Sequence, residues 1–166
     1  MTLSIAKIFI ALSAATAVNA TAYEPPSGWR FDVLAKDSAI RAHNDQIGTL
    51  RELKEGSAFL SVPVIVEPAK DLKKQTATSQ LLRLDSSVKK MMIRAKDQPS
   101  FISKKINNGS PVIEAEYGKP GKGFTWVYSS LRENKIITLI GESRDSSPGA
   151  SVREEFFAMA RAFTPP

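Results

Sequence analysis

Between Phe101 and Glu142 the chain makes four short strand-like runs, each parted from the next by turn-forming residues. Strands joined by connections this short run antiparallel, because a parallel neighbour needs a long crossover. The runs are Phe101 to Ile106, Val112 to Tyr117, Phe124 to Tyr128 and Ile136 to Glu142. Asn107-Asn108-Gly109 is a strong hairpin signal, since Asn and Gly tolerate the positive φ that a tight turn demands. Gly118 to Gly123 and Arg132-Glu133-Asn134 supply the other turns. In the second run Val112, Glu114 and Glu116 oppose Ile113, Ala115 and Tyr117 across the pleat, and in the third Phe124, Trp126 and Tyr128 share one face.

The rest of the chain frames this meander. Tyr23 to Gly28 holds two prolines and reads as a lead-in segment, residues 23–28. Trp29 to Leu34 alternates as a half-buried strand. Residues 35–48 are ambiguous: Ala35 to Ala42 fits a short helix and Asn44-Asp45 a turn. Thr49 to Leu53 and Phe59 to Glu67 read as strands, with Pro63 calling for an edge position or a bulge. Leu81, Leu84, Val88, Met91 and Ala95 recur at helical spacing and predict a helix from Ser79 to Lys96, stopped by Pro99. A closing helix is predicted where Ser151 and Glu154 have capping-box spacing and Val152, Phe156, Met159, Ala160 and Phe163 form a stripe. Strands, helix, four strands, helix, without βαβ alternation, give an α+β class. The expectation is one domain over residues 29–164, an antiparallel sheet of about six to seven strands flanked by two main helices.

The first residues carry an address. Lys7 precedes an apolar run, Ile8 to Val18, then Val18-Asn19-Ala20-Thr21-Ala22. A basic start, an apolar stretch and small residues before a cut predict a secretory signal peptide over residues 1–22. Ala22 is the favoured cleavage position and Ala20 the other. The apolar run falls short of the roughly 20 residues that span a bilayer, so the mature chain is expected to have no transmembrane segment. It is expected in the periplasm or, alternatively, outside the cell. Taking 22 from 166 residues leaves 144, enough to bury a core without staples. The chain has no cysteine, which excludes a lipidated cysteine anchor, a cysteine nucleophile and a thiolate metal site.

The formal charge of +6 is uneven. Lys70 to Lys105 holds ten basic residues against three Asp, while residues 23–69 are slightly acidic and residues 106–166 balance. The predicted helix places Arg83, Lys89, Lys90 and Arg94 opposite its apolar stripe, a candidate partner-binding basic face. Such a field attracts an acidic protein surface, or anionic envelope lipid or polymer. It does not suit nucleic acid, for no aromatics interleave the lysines to stack bases. Lys119 and Lys122 are candidate loop contacts on a flexible hairpin tip.

Reactive motifs are missing. His43 is the only histidine and reads as a surface loop residue; with no cysteine either, a zinc site would need three carboxylate-type ligands. Gly118 to Thr125 fails phosphate-loop spacing, because Phe124 follows Gly123. Glu114 and Glu116 share a face, which permits acid–base work in a cleft but more simply describes the solvated face of a half-exposed strand. No cofactor and no catalytic or metal residues are expected, and the chain reads as a non-enzyme.

The second half resembles the PsbP-like group of small α+β proteins. Lys105 to Tyr117, the aromatic strand Phe124 to Tyr128, the strand Lys135 to Ile140 and the closing helix with Phe156, Phe157 and Phe163 carry the resemblance, with Gly28-Trp29 added before the first strand. In order of elements it covers Gly28 to Phe163. That group serves extrinsic photosystem subunits, a nuclear-transport partner and bacterial exported proteins, so the resemblance implies docking to another macromolecule without catalysis. It transfers no catalytic residues. The resulting expectation is a periplasmic or secreted adaptor or immunity-type protein, with binding of anionic envelope lipid or polymer through the basic helix of residues 79–96 as the alternative.

Overall fold

Asn108 and Gly109 take φ of 49° and 79°, the doubly left-handed pair of a type I′ turn, and so set Asn107 opposite Ser110. This hairpin organises one end of the sheet in the computed structural model of the chain, which describes residues 24–35, 37, 45–92 and 98–163. The strands are β1 (Trp29–Val33), β2 (Gln46–Glu52), β3 (Val62–Pro68), β4 (Pro99–Asn107), β5 (Ser110–Lys119), β6 (Gly123–Arg132) and β7 (Lys135–Glu142). A 3₁₀ turn (Leu72–Lys74) and helix α1 (Ala77–Met91) separate β3 from β4, and helix α2 (Ala150–Ala162) closes the chain. All pairings are antiparallel, in the order β1-β2-β3-β7-β6-β5-β4. The fold displays the expected α+β class, and the seven strands among the described residues fall within the expected six to seven.

Period-two alternation gives the sheet two buried faces. On one, Trp126 and Tyr128 of β6, Ile137 and Leu139 of β7 and Val62 and Val64 of β3 pack under Phe156, Phe157, Met159 and Ala160 of α2. On the other, Ile113, Ala115 and Tyr117 of β5 and Val127 and Leu131 of β6 pack under Leu84 and Val88 of α1. Burying each large side chain contributes roughly 1.5–3 kcal/mol. Gly141 makes the α2 packing possible, since a Cβ there would lie 2.6 Å from the Phe156 ring.

Several boundaries differ from the sequence reading. Helix α1 begins at Ala77, because Thr76 caps it by accepting a hydrogen bond from the Ser79 amide; of the expected stretch to Lys96, residues 93–97 lie outside the described residues. Helix α2 starts at Ala150 on Gly149, with no side-chain cap, so Ser151 and Glu154 form no capping box. Pro63 sits in the interior strand β3, paired with Thr49 of β2 but ahead of the ladder to β7. Pairing of β3 with β7 begins at Val64, and Phe59 bridges Ser143 one residue out of that register. The ambiguous stretch, the signal segment and His43 fall largely or wholly outside the described residues. Among the described residues no helix is long and apolar enough to cross a membrane.

Candidate functional site

Helix α1 turns Leu84 and Val88 into the sheet, which leaves Arg83, Lys89 and Lys90 exposed on its outer side. Arg94 lies outside the described residues. Leu82 stands among these cations with 65% of its surface exposed. Lys89 is not spare: its Nζ lies 2.9 Å from Asp85 Oδ2, and Lys104 of β4 reaches Asp85 Oδ1 at 3.0 Å. Burial pushes the Asp85 carboxyl up, but the hydrogen bonds and charges of Lys89 and Lys104 outweigh it and hold the group below the usual carboxylate range. The same contact raises Lys89. Tyr117 beneath them is pushed up by burial first and by the Asp85 charge second.

The opposite face carries a matching arrangement that the sequence reading mistook for a solvated surface. Glu114 and Glu116 do share a face, but α2 covers it and Glu114 is only 4% exposed. Arg161 donates from Nε to Glu114 Oε1 at 2.7 Å, and Lys105 lies 3.8 Å from Oε2. The guanidinium also sits 6.0 Å over the Phe157 ring, and the Glu114 hydrogen bond raises its already high pKa. Glu116 accepts from Trp126 Nε1 at 2.9 Å and from Ser100 Oγ at 3.0 Å. Both carboxylates are thus occupied in holding β4, β6 and α2 to β5. The pair is a structural anchor, and nothing aligns the two acids across a cleft for general acid–base work.

The two loop lysines occupy the β5–β6 hairpin, and both are exposed. The tip is tied down, contrary to the flexible reading. Gly121 and Gly123 donate to Ser146 O at 3.0 and 3.1 Å, and Gly121 also donates to Ser147 Oγ at 2.9 Å. Gly118 lets the strands close there, since a Cβ would meet Gly123 O at 2.2 Å. Lys122 borders an open cleft of about 300 Å³ with Tyr117, Phe124 and Glu142. The structure brings Lys89 and Lys104 together through Asp85, and it joins Lys119 and Lys122 in one turn.

Sequence reasoning missed the apolar surface beside these charges. Phe101, Ile102 and Ile106 of β4 are 38%, 41% and 49% exposed, and Arg153 of α2 lies 5.4 Å over the Phe101 ring. The signal was present: a strand with bulky apolar residues on both faces reads as buried, yet β4 is the last strand of the sheet.

An antiparallel sheet with one helix laid on each face, in which α1 crosses over the sheet to join β3 to the distant β4, defines a class of α+β sandwich. No family model matches the sequence, and no curated protein matches it. Among solved structures, the chain is similar to cyanobacterial PsbP (CyanoP) from Synechocystis sp. PCC 6803, with a TM-score of 0.53 at 17% identity, covering 87% of this chain and 85% of that one. The chain has a PsbP-like fold.

Proposed function

We propose that this chain is an exported, non-enzymatic protein that binds another protein through β4 and the charged side chains that flank it on both faces. The observation that carries this reading is the run of exposed Phe101, Ile102 and Ile106 on one strand, flanked by Lys89, Lys104, Lys105 and Arg153. Apolar side chains clustered within a polar rim are the usual makeup of an interaction surface. The small residues before Ala22 and the basic, apolar leader support export. An adaptor or immunity-type role is the concrete form. Capture from an envelope extract by the tagged mature chain is expected to recover one protein in fixed stoichiometry; recovery of none under varied salt contradicts the reading.

A second reading has its own observation. Leu82 protrudes beside Arg83 and Lys90 on α1, the combination by which a helix meets anionic lipid or polymer. It predicts retention on acidic liposomes that falls as salt rises. Reversing Arg83 and Lys90 to Glu then abolishes retention; retention that persists refutes the lipid reading.

A further inference from the structure

The two edges of the sheet are built differently. β1 is five residues long, and Asp32 on it is clasped by Arg30 at 2.8 Å and Arg51 at 2.9 Å. A short edge with paired charge resists recruiting another strand. β4 is nine residues long, and among the described residues it pairs on one side only, with β5. The I′ turn makes Asn107 and Ser110 the doubly hydrogen-bonded pair. Counting back by twos, Lys105 and Ser103 aim their backbone groups at β5, while Ile102, Lys104 and Ile106 aim theirs outward.

The side chains around that open ladder define what fits it. On the α1 face Lys104 lies between Ile102 and Ile106, and on the α2 face Phe101, Ser103 and Lys105 follow one another. Lysines ordinarily guard an edge, but these two are turned onto carboxylates of their own molecule. Asp85 faces two cations, Lys89 and Lys104, and Glu114 faces two, Lys105 and Arg161. The α1 face therefore keeps one surplus positive charge beside the open strand, while on the α2 face Glu114 and Glu116 balance Lys105 and Arg161. Antiparallel pairing of two β4 strands centred on Lys104 or Lys105 would set lysine against lysine, and like charges opposed across a ladder are destabilising.

We propose that β4 accepts an extended acidic segment of a partner protein as an eighth strand. Main-chain hydrogen bonds from Ile102, Lys104 and Ile106 hold it, and its α1-side residues read apolar, acidic, apolar against Ile102, Lys104 and Ile106. This rests on the protein-binding reading above and specifies its surface and its chemistry.

The test titrates the isotopically labelled mature chain with the peptide acetyl-Thr-Val-Thr-Glu-Thr-Val-Thr-amide, followed at each backbone amide by NMR. Shifts are expected at Ile102, Lys104 and Ile106. Replacing the peptide's Glu by Lys should weaken binding about tenfold, the loss of an opposed charge pair and the gain of a like one. N-methylation of the peptide amides that face β4 should abolish binding, because it removes the ladder and leaves the side chains. Ile102→Thr with Ile106→Thr, which keeps β-branched residues in the strand, should weaken binding several-fold. Equal binding of the N-methylated peptide, or shifts confined to Leu82 and its helix, overturns the proposal. So does concentration-dependent dimerisation through β4 in sedimentation of the chain alone. A captured partner that leaves the β4 amides unshifted also overturns the added strand while sparing the protein-binding reading; capture of no partner strikes that reading instead, whatever the peptide does.

Discussion

The two faces of the sheet are held by different physics. Under α2 the contacts are aromatic: Phe59 lies 5.9 Å from Trp126 and 6.2 Å from Phe156, and Trp126 stacks 6.1 Å from Phe156. Under α1 the core is aliphatic apart from Tyr117, and polar groups fix the helix in place. Gln80 donates to Leu72 O at 2.9 Å, Ser87 donates to Glu67 at 2.6 Å, and Asp85 receives its lysines. Large rings stabilise by area and tolerate no gaps, whereas directional bonds position a helix while adding little net energy. The difference teaches that α2 secures the fold and α1 presents charge.

Cutting a ring from the α2 side should cost most. Phe156→Ala is expected to lose about 4 kcal/mol in urea unfolding and Leu84→Ala on the α1 side about 3; the reverse order would break the comparison. The anchoring ion pair comes next. Arg161→Met leaves Glu114 buried with only the distant Lys105 and should cost about 3 kcal/mol. Adding Glu114→Gln should restore part of that loss in thermal melts, because the stranded charge is gone; no recovery would mean that the Arg161 stem, not its charge, is what matters.

The smallest effect sharpens the contrast. Lys89 is mostly exposed and its pairing with Asp85 is screened, so Asp85→Asn should cost about 1 kcal/mol near neutral pH. Asp85 has its folded pKa below the ordinary 3.8. Its contribution is therefore complete above that value and is lost as pH falls through the folded pKa. Wild type should lose stability faster than Asp85→Asn on acidification below pH about 4, read from urea midpoints. Parallel acid limbs would show that the buried carboxylate gains nothing from its lysines.

Much of this architecture was legible because alternation and helical spacing are local. Trp126 and Tyr128 shared a face as read, Leu84 and Val88 pointed inward, and Asn108-Gly109 made its turn. What could not be read depends on distant partners. Glu114 looks like a solvent residue until Arg161, 47 positions on, covers it. The capping box failed because Gly149 caps the helix two residues before Ser151, which places Ser151 inside the first turn. The open edge was invisible for the same reason: β7 inserts between β3 and β6, and only that order leaves β4 outermost. The basic face was legible as composition, but not that Lys89 is already paired while Lys90 stays exposed.

The functional account turns on where a partner touches the molecule. A photoreactive phenylalanine analogue placed either at Phe101 or at Leu82, illuminated in the native envelope, separates the two surfaces directly. The account predicts a single protein adduct from position 101 and none from position 82. Adducts from position 82 alone, whether to protein or to lipid, would contradict it.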